Sequence, residues 1–253
     1  MLNKSNRNTI TGSVQASYNF TKDLSLMVRT AMDFGYDERS QRRPKDTEKY
    51  KEGMFRTQNI FSQEVNSDFL LRYAKKINSK FETTLSFGGS NLNNKYIKDE
   101  LRAESLIFPQ VYSLANSKQI VQAYPNRSSY TINSLYGLAT VSYNNYLFLD
   151  LTGRNDWSSI LASPSSSNNA SFFYPSANMS AVLSEMFTLP KAISFAKLRA
   201  SLSKVGSGLL VPYRTSYSYI SASEFDGGLR NPTNIPNLNL KPLTTISYEL
   251  GFD

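Results

Sequence analysis

The chain of 253 residues has no cysteine, no histidine and a single tryptophan. Without thiols there is no disulfide framework, no cysteine nucleophile and none of the usual structural zinc sites. Without imidazole the commonest general base and metal ligand is missing too, which leaves enzyme readings without a recognisable triad and no cofactor or metal site to propose. No apolar run approaches the roughly 18 residues that a helix needs to cross a bilayer, which excludes helical spanning but not spanning by strands, whose individual signals are weak. Residues Met1 to Arg7 lack the apolar stretch of a secretory leader. An exported protein is therefore expected here as a fragment of a longer one.

What is present is aromatic, polar and alternating: 13% of residues are aromatic and 19% charged. The formal charge is +8, but the Lys and Arg are spread along strands and turns instead of forming a stripe with interleaved aromatics. Solvated turns and loops are expected in place of a nucleic-acid surface.

The stretch that organises the rest is Thr131 to Trp157. Leu135, Gly137, Ala139, Val141 and Tyr143 share one parity, and Tyr136, Leu138, Thr140 and Ser142 the other. Asn144-Asn145 supplies residues that tolerate positive φ, and Leu147, Leu149 and Leu151 then oppose Asp150, Thr152 and Arg154. This predicts a hairpin with one apolar and one polar face.

The same period recurs along the chain. Ile10 to Phe20 and Leu24 to Phe34 alternate around a polar turn at Thr21-Lys22-Asp23, and Val65 to Tyr73 and Phe81 to Phe87 alternate around another at Lys75 to Lys80. Further strands are expected around Ala177 to Leu183, Ala196 to Leu202 and Ile246 to Phe252, with a compact turn that has room for a helical half-turn at Ser184 to Lys191. Tyr36 to Arg56 loses the period and reads as a long charged loop, and the irregular stretch from Asn91 to Ser129, the Ser- and Asn-rich Ser158 to Asn169 and the Gly- and Pro-rich Gly206 to Pro242 read as long loops as well. Within the second of these, Ile97 to Ser117 is expected to be helical or folded onto a rim. About nine strands result, and the connections alternate short and long. That is the pattern of an antiparallel up-and-down transmembrane β-barrel with long extracellular loops. A soluble sandwich would use the same alternation around a dry core and has no reason to keep the alternation of loop lengths.

Several stretches resemble the SusC/RagA type of TonB-dependent outer-membrane transporter. They are Tyr143-Asn-Asn-Tyr-Leu-Phe-Leu-Asp-Leu-Thr-Gly-Arg154-Asn-Asp156-Trp-Ser158-Ser159, Tyr174-Pro175-Ser176, Leu183-Ser-Glu-Met-Phe187, Lys197-Leu-Arg199-Ala-Ser201 and Asn237 to Asp253, in the family's order and spacing. Val111 to Ser117 is a weaker match, and Trp157, Ile160 and Leu240-Lys241-Pro242 depart from the pattern. The resemblance implies an all-β partial barrel over residues 1–253, located in the bacterial outer membrane, with plug, TonB box and closing strands outside the chain, since such barrels have about 22 strands. It also implies import of oligosaccharides or peptides, a SusD-like surface lipoprotein as cap, and coupling to the TonB-ExbB-ExbD complex through a missing N-terminal part.

Among individual residues, Arg154, Asp156, Ser158 and Ser159 carry the family signature and are read as structural, because Asp and Ser at a strand end most often bind local backbone. Trp157 is the candidate for stacking on a ligand, with Tyr112, Tyr124, Tyr130 and Phe225 as further loop aromatics that could equally form interfacial girdles. Glu64, Asp68, Glu82, Asp150 and Glu249 supply interior carboxylates; glycoside hydrolysis would need two of them held about 5–10 Å apart. Lys204-Val-Gly-Ser-Gly208 lacks the residue order of a phosphate loop, and Asn169-Ala-Ser171 fits a glycosylation triplet. The two other functions consistent with the residues are a soluble β-rich carbohydrate-binding or adhesion module and a barrel enzyme.

Overall fold

The short turns are built by their own polar side chains. In a computed structural model, which describes residues 3–163, 170–190, 193–207, 211–221 and 228–253, Thr21 Oγ1 accepts from the backbone N–H groups of Asp23 and Leu24 at 3.2 and 3.0 Å. Asn78 Oδ1 accepts from Lys80 and Phe81, each at 2.8 Å. Asn144 and Asn145 take φ values of 50° and 60°, the pair of left-handed residues that a type I′ hairpin turn requires. Each of these turns reverses the chain within a few residues and sets the register of the two strands it joins.

The strands are β1 (Lys4–Asn19), β2 (Leu24–Arg43), β3 (Met54–Lys76), β4 (Phe81–Ala103), the two-residue β5 (Gln122–Ala123), β6 (Asn126–Tyr143), β7 (Leu147–Ser158) and β8 (Ser171–Val182). A single helical turn, α1 (Leu183–Met186), precedes β9 (Lys197–Ser207), the two-residue β10 (Ile220–Ser221) and β11 (Leu229–Arg230), and β12 (Leu243–Phe252). One sheet runs in the order β1-β2-β3-β4-β6-β7-β8-β9-β12, with β5 added on β4, while β10 and β11 pair with each other in a second sheet. Sequence neighbours are thus spatial neighbours, and among the described residues β1 and β12 are the two ends of the order and do not pair with each other.

The chain forms two compact units. The first comprises Met1–Val14, Thr30–Asn66 and Leu92–Tyr130, and the second Gln15–Arg29, Ser67–Asn91 and Thr131–Asp253.

In the second unit backbone bonds link the short turns in a row. Ala74 donates to Asp23, Asn144 to Lys80, Val182 to Tyr146 and Lys197 to Asp253, at 2.7–2.9 Å. The four short connections therefore lie along one edge, as their alternation with long ones predicts. Ladder register carries the faces from strand to strand. Val141, Leu149, Met179, Ala200 and Leu250 stand in one line, and Thr140, Asp150, Asn178, Ser201 and Glu249 in the next. One face is apolar across five strands and the other polar.

Among the described residues this apolar face covers no core. Leu149, Leu151, Leu198 and Leu202 are 38–47% exposed, whereas the buried apolar residues of this unit, Ile160, Leu161, Ala170 and Ala196, sit in connections between strands. A sandwich would bury the leucines between two sheets. The exposed band therefore rules out the soluble sandwich and fits a barrel wall turned to lipid.

In the first unit the expectation from sequence needs correction. Tyr36 to Arg43 and Met54 to Arg56, read as loop, are strand, and so is Asn91 to Ala103. Ile97 to Ser117 is not helical apart from one 3-10 turn at Leu114–Asn116. The ladder continues here without its apolar period, because charged partners take both faces where the strands run beyond the roughly 9–11 residues that cross a bilayer. Asp37 receives Arg39 Nε at 2.8 Å and Ser5 Oγ at 2.9 Å.

Glu100 is the hub of this unit. It accepts from Gln58 at 2.7 Å and from Arg102, and pairs with Lys98 at 3.3 Å. Its backbone oxygen takes the Tyr124 N–H at 2.8 Å, and the Arg102 guanidinium lies 4.6 Å from the Tyr124 ring centre. Burial pushes the Glu100 carboxyl up, but the hydrogen bonds from Arg102, Gln58 and Lys98 outweigh it and hold the pKa at about 2. The loop after β4 is further tied by Asn116, which donates to Phe108 O and Val111 O at 2.8 and 2.7 Å and accepts from Phe108 N at 3.1 Å.

An arginine-aromatic shelf on the polar face

On the polar face of the second unit β6, β7 and β8 bring Tyr136, Arg154 and Tyr174 into one cross-strand line. Arg154 donates through Nε to Asp156 Oδ1 at 2.8 Å and through Nη2 to Ser134 Oγ at 2.9 Å. Its guanidinium lies 5.6 Å from the Tyr136 ring centre. Tyr174 donates its hydroxyl to the other oxygen of Asp156, and Phe172 stacks on Tyr174 with ring centres 5.8 Å apart and planes at 26°. Asp156, 8% exposed, thus ties β8 to β7 through Tyr174 and fixes the guanidinium of Arg154 on its own strand.

Two glycines make room for the rings at the ends of this line. A Cβ on Gly88 would lie 2.5 Å from the Tyr136 ring, and one on Gly206 would lie 2.5 Å from the Phe172 ring. With hydrogen there instead, the rings can lie close against the sheet. The result is a shelf of aromatic faces and one hydrogen-bonded guanidinium, drawn from β4, β6, β7, β8 and β9. Flat apolar faces beside fixed donors suit a polar ligand with both hydroxyl or amide groups and C–H surface.

The signature residues predicted from sequence fall into two groups. Arg154 and Asp156 form the shelf. Ser158, whose side chain is buried, donates its backbone N–H to Ala170 O at 2.8 Å, and Ser159 exchanges bonds with Thr131 through both its N–H and its Oγ. Trp157 lies on the opposite face. It pairs with Asn133 and shares parity with Leu149 and Leu151, and with Val28, Phe69 and Leu135 it lines a groove of about 450 Å³.

Sequence alone does not mark Tyr136, Phe172 and Tyr174 as ligand contacts. Their signal was nevertheless present: bulky aromatics on the parity that otherwise carries Ser, Thr and Asp.

The carboxylates named from sequence are scattered. Asp150 and Glu249 stand in one register line but three strand spacings apart, about 14 Å, too far to flank one glycosidic bond. Asp68 pairs with Arg29 at 3.0 Å, Glu64 accepts from Asn94 at 3.1 Å, and Glu82 is exposed. Among the loop aromatics, Tyr112 lies 5.5 Å from the Arg42 guanidinium and Tyr124 packs on Arg102. Tyr130 is half-buried. Phe225, Asn169 and Gly208 lie outside the described residues.

Residues 2–253 match the family described as TonB dependent receptor-like, beta-barrel. The chain is 26% identical over 204 residues to the TonB-dependent receptor P26 of Formosa agariphila, covering 74% of this chain and 20% of that protein. It thus spans about a fifth of the length of that relative. The structure of the RagAB peptide transporter superposes with a TM-score of 0.80 at 16% identity, over 97% of this chain and 28% of that one. The RagAB peptide importer in its open-open state gives 0.78 at the same identity and coverage. With register, turns and family in agreement, the chain belongs to the TonB-dependent receptor-like β-barrel family of the bacterial outer membrane.

Proposed function

We propose that the chain is the part of a larger barrel that lines the path of a nutrient taken up across the outer membrane, an oligosaccharide or a peptide, with the shelf around Arg154 as a contact surface. The observation that carries this reading is the position of three aromatic rings and a fixed guanidinium on the polar face of strands whose other face is apolar. In a barrel wall the polar face borders the interior, so these groups meet a solute and not lipid. RagAB, described as a peptide transporter, supports the fold and the peptide alternative. A SusD-like lipoprotein as surface partner and energy from the TonB-ExbB-ExbD complex belong to the same reading, which rests on the family.

Ligand contact is assigned to Tyr136, Phe172 and Tyr174 in preference to Trp157, because Trp157 has the parity of the lipid-facing leucines. The experiment is titration of the full-length protein, wild type and Tyr136→Ala/Phe172→Ala, with oligosaccharide and peptide mixtures. About tenfold weaker binding to one class is expected, as loss of ring contacts worth ~1.4 kcal/mol would give. Unchanged affinity for both classes in a correctly assembled double variant would remove the shelf from the reading.

A further inference from the structure

Trp157 and its neighbours form a groove on the apolar face, and we propose that it is a binding site for one acyl chain of an outer-leaflet membrane lipid. The proposal rests on the barrel wall facing lipid and not on the nature of the imported solute.

The groove is specific in shape. Val28, Phe69, Leu135 and Trp157 are its apolar walls. Gly89 is its floor, where a Cβ would meet the Phe69 ring at 2.7 Å and Leu135 Cδ2 at 3.0 Å. A side chain there would push Phe69 into the space, so the glycine keeps the groove open. Its volume is about 450 Å³, in a groove that is open and not enclosed.

The groove is also polarised in the sense of an amphiphile. Asn133, directly across the ladder from Trp157, accepts from the Asn91 amide at 2.6 Å, which places an amide pair at the level of the Trp157 ring and apolar side chains along the walls. Its height agrees with this. Trp157 is ten residues from Leu147 along β7, roughly 33 Å of strand and about 23 Å of height at a 45° tilt, close to the ~25 Å of the apolar band in outer-membrane barrels. The other border of the band carries Phe81 and Tyr143, with ring centres 4.7 Å apart. Trp157 therefore stands at the border near the long loops, where a lipid headgroup passes into its chains. Because the groove continues the lipid-facing surface established by the register, its occupant is a membrane lipid.

The test reconstitutes the full-length protein in phosphatidylethanolamine–phosphatidylglycerol vesicles containing increasing fractions of acyl-brominated phosphatidylethanolamine. The quenching of Trp157 is read as the difference between wild type and Trp157→Phe. A site predicts quenching that saturates well below the bulk fraction at which random contact would, by about threefold or more. Gly89→Ala and, independently, Leu135→Phe should return quenching to simple proportionality, with barrel assembly checked by heat-modifiable migration. Proportional quenching in wild type would overturn the site, and so would absence of quenching. Saturation unaltered in an assembled Gly89→Ala or Leu135→Phe protein would overturn its location.

Discussion

The ring of Tyr136 occupies the space that a side chain on Gly88 would need, with the nearest approach to a Cβ at 2.5 Å. The two residues belong to neighbouring strands, β4 and β6, and the space left by one sets the position of the other. Gly88→Ala should therefore lift the Tyr136 ring from the sheet and away from the Arg154 guanidinium, and it also presses on the Phe69 carbonyl oxygen, 2.7 Å from the same Cβ, at a combined cost of about 1–3 kcal/mol from overpacking. Ligand titration of the assembled full-length variant should show weaker binding. An unaltered affinity would mean that the ring position does not matter to the ligand.

The two faces predict opposite responses to charge. Leu151 stands in the middle of the apolar band, so Leu151→Arg should cost about 2–4 kcal/mol of folding stability in lipid. Asn178→Lys, on the polar face directly across from Asp150, should cost less than about 1 kcal/mol. Denaturant unfolding of the reconstituted full-length protein measures both. Equal costs would contradict the assignment of faces.

Glu100 lies 19 residues into β4, beyond the length that crosses a bilayer, and its carboxyl is held at about 2 against an ordinary value of 4.5. Because the folded-state pKa is the lower one, the stabilisation is fully present above pH 4.5 and is lost as pH falls toward 2. Hydrogen exchange at Gln122 to Tyr124, which are anchored on β4 through Leu101, Arg102 and the Glu100 backbone, should accelerate in that window after correction for intrinsic rates. Glu100→Gln should flatten this pH dependence and raise exchange at neutral pH.

Asn116 holds the loop after β4 through three bonds to two residues. Asn116→Ala leaves Phe108 and Val111 without those partners, at about 1–3 kcal/mol for each group that stays buried. Limited proteolysis of the full-length protein should then cut between Leu106 and Ser117 several-fold faster, while the strands remain protected.

How much of this could be read in advance depends on how local its cause is. The period of two in Leu147, Leu149 and Leu151, the turn-forming Asn144-Asn145 and the self-bonding Thr21 and Asn78 are properties of a few consecutive residues. Strand existence, short turns, the outward face and the family resemblance are therefore all legible in the linear order. Even the outward position of Trp157 was available from its parity. The reach of β2, β3 and β4 was hidden, because ion pairs such as Arg39 with Asp37 replace the apolar period while the backbone ladder continues. The shelf was hidden for another reason. Gly88, Tyr136, Arg154, Tyr174 and Gly206 come from five strands, and only the cross-strand register, a relation between residues far apart in the chain, puts the two vacant Cβ positions under the two rings and one carboxylate between an arginine and a tyrosine.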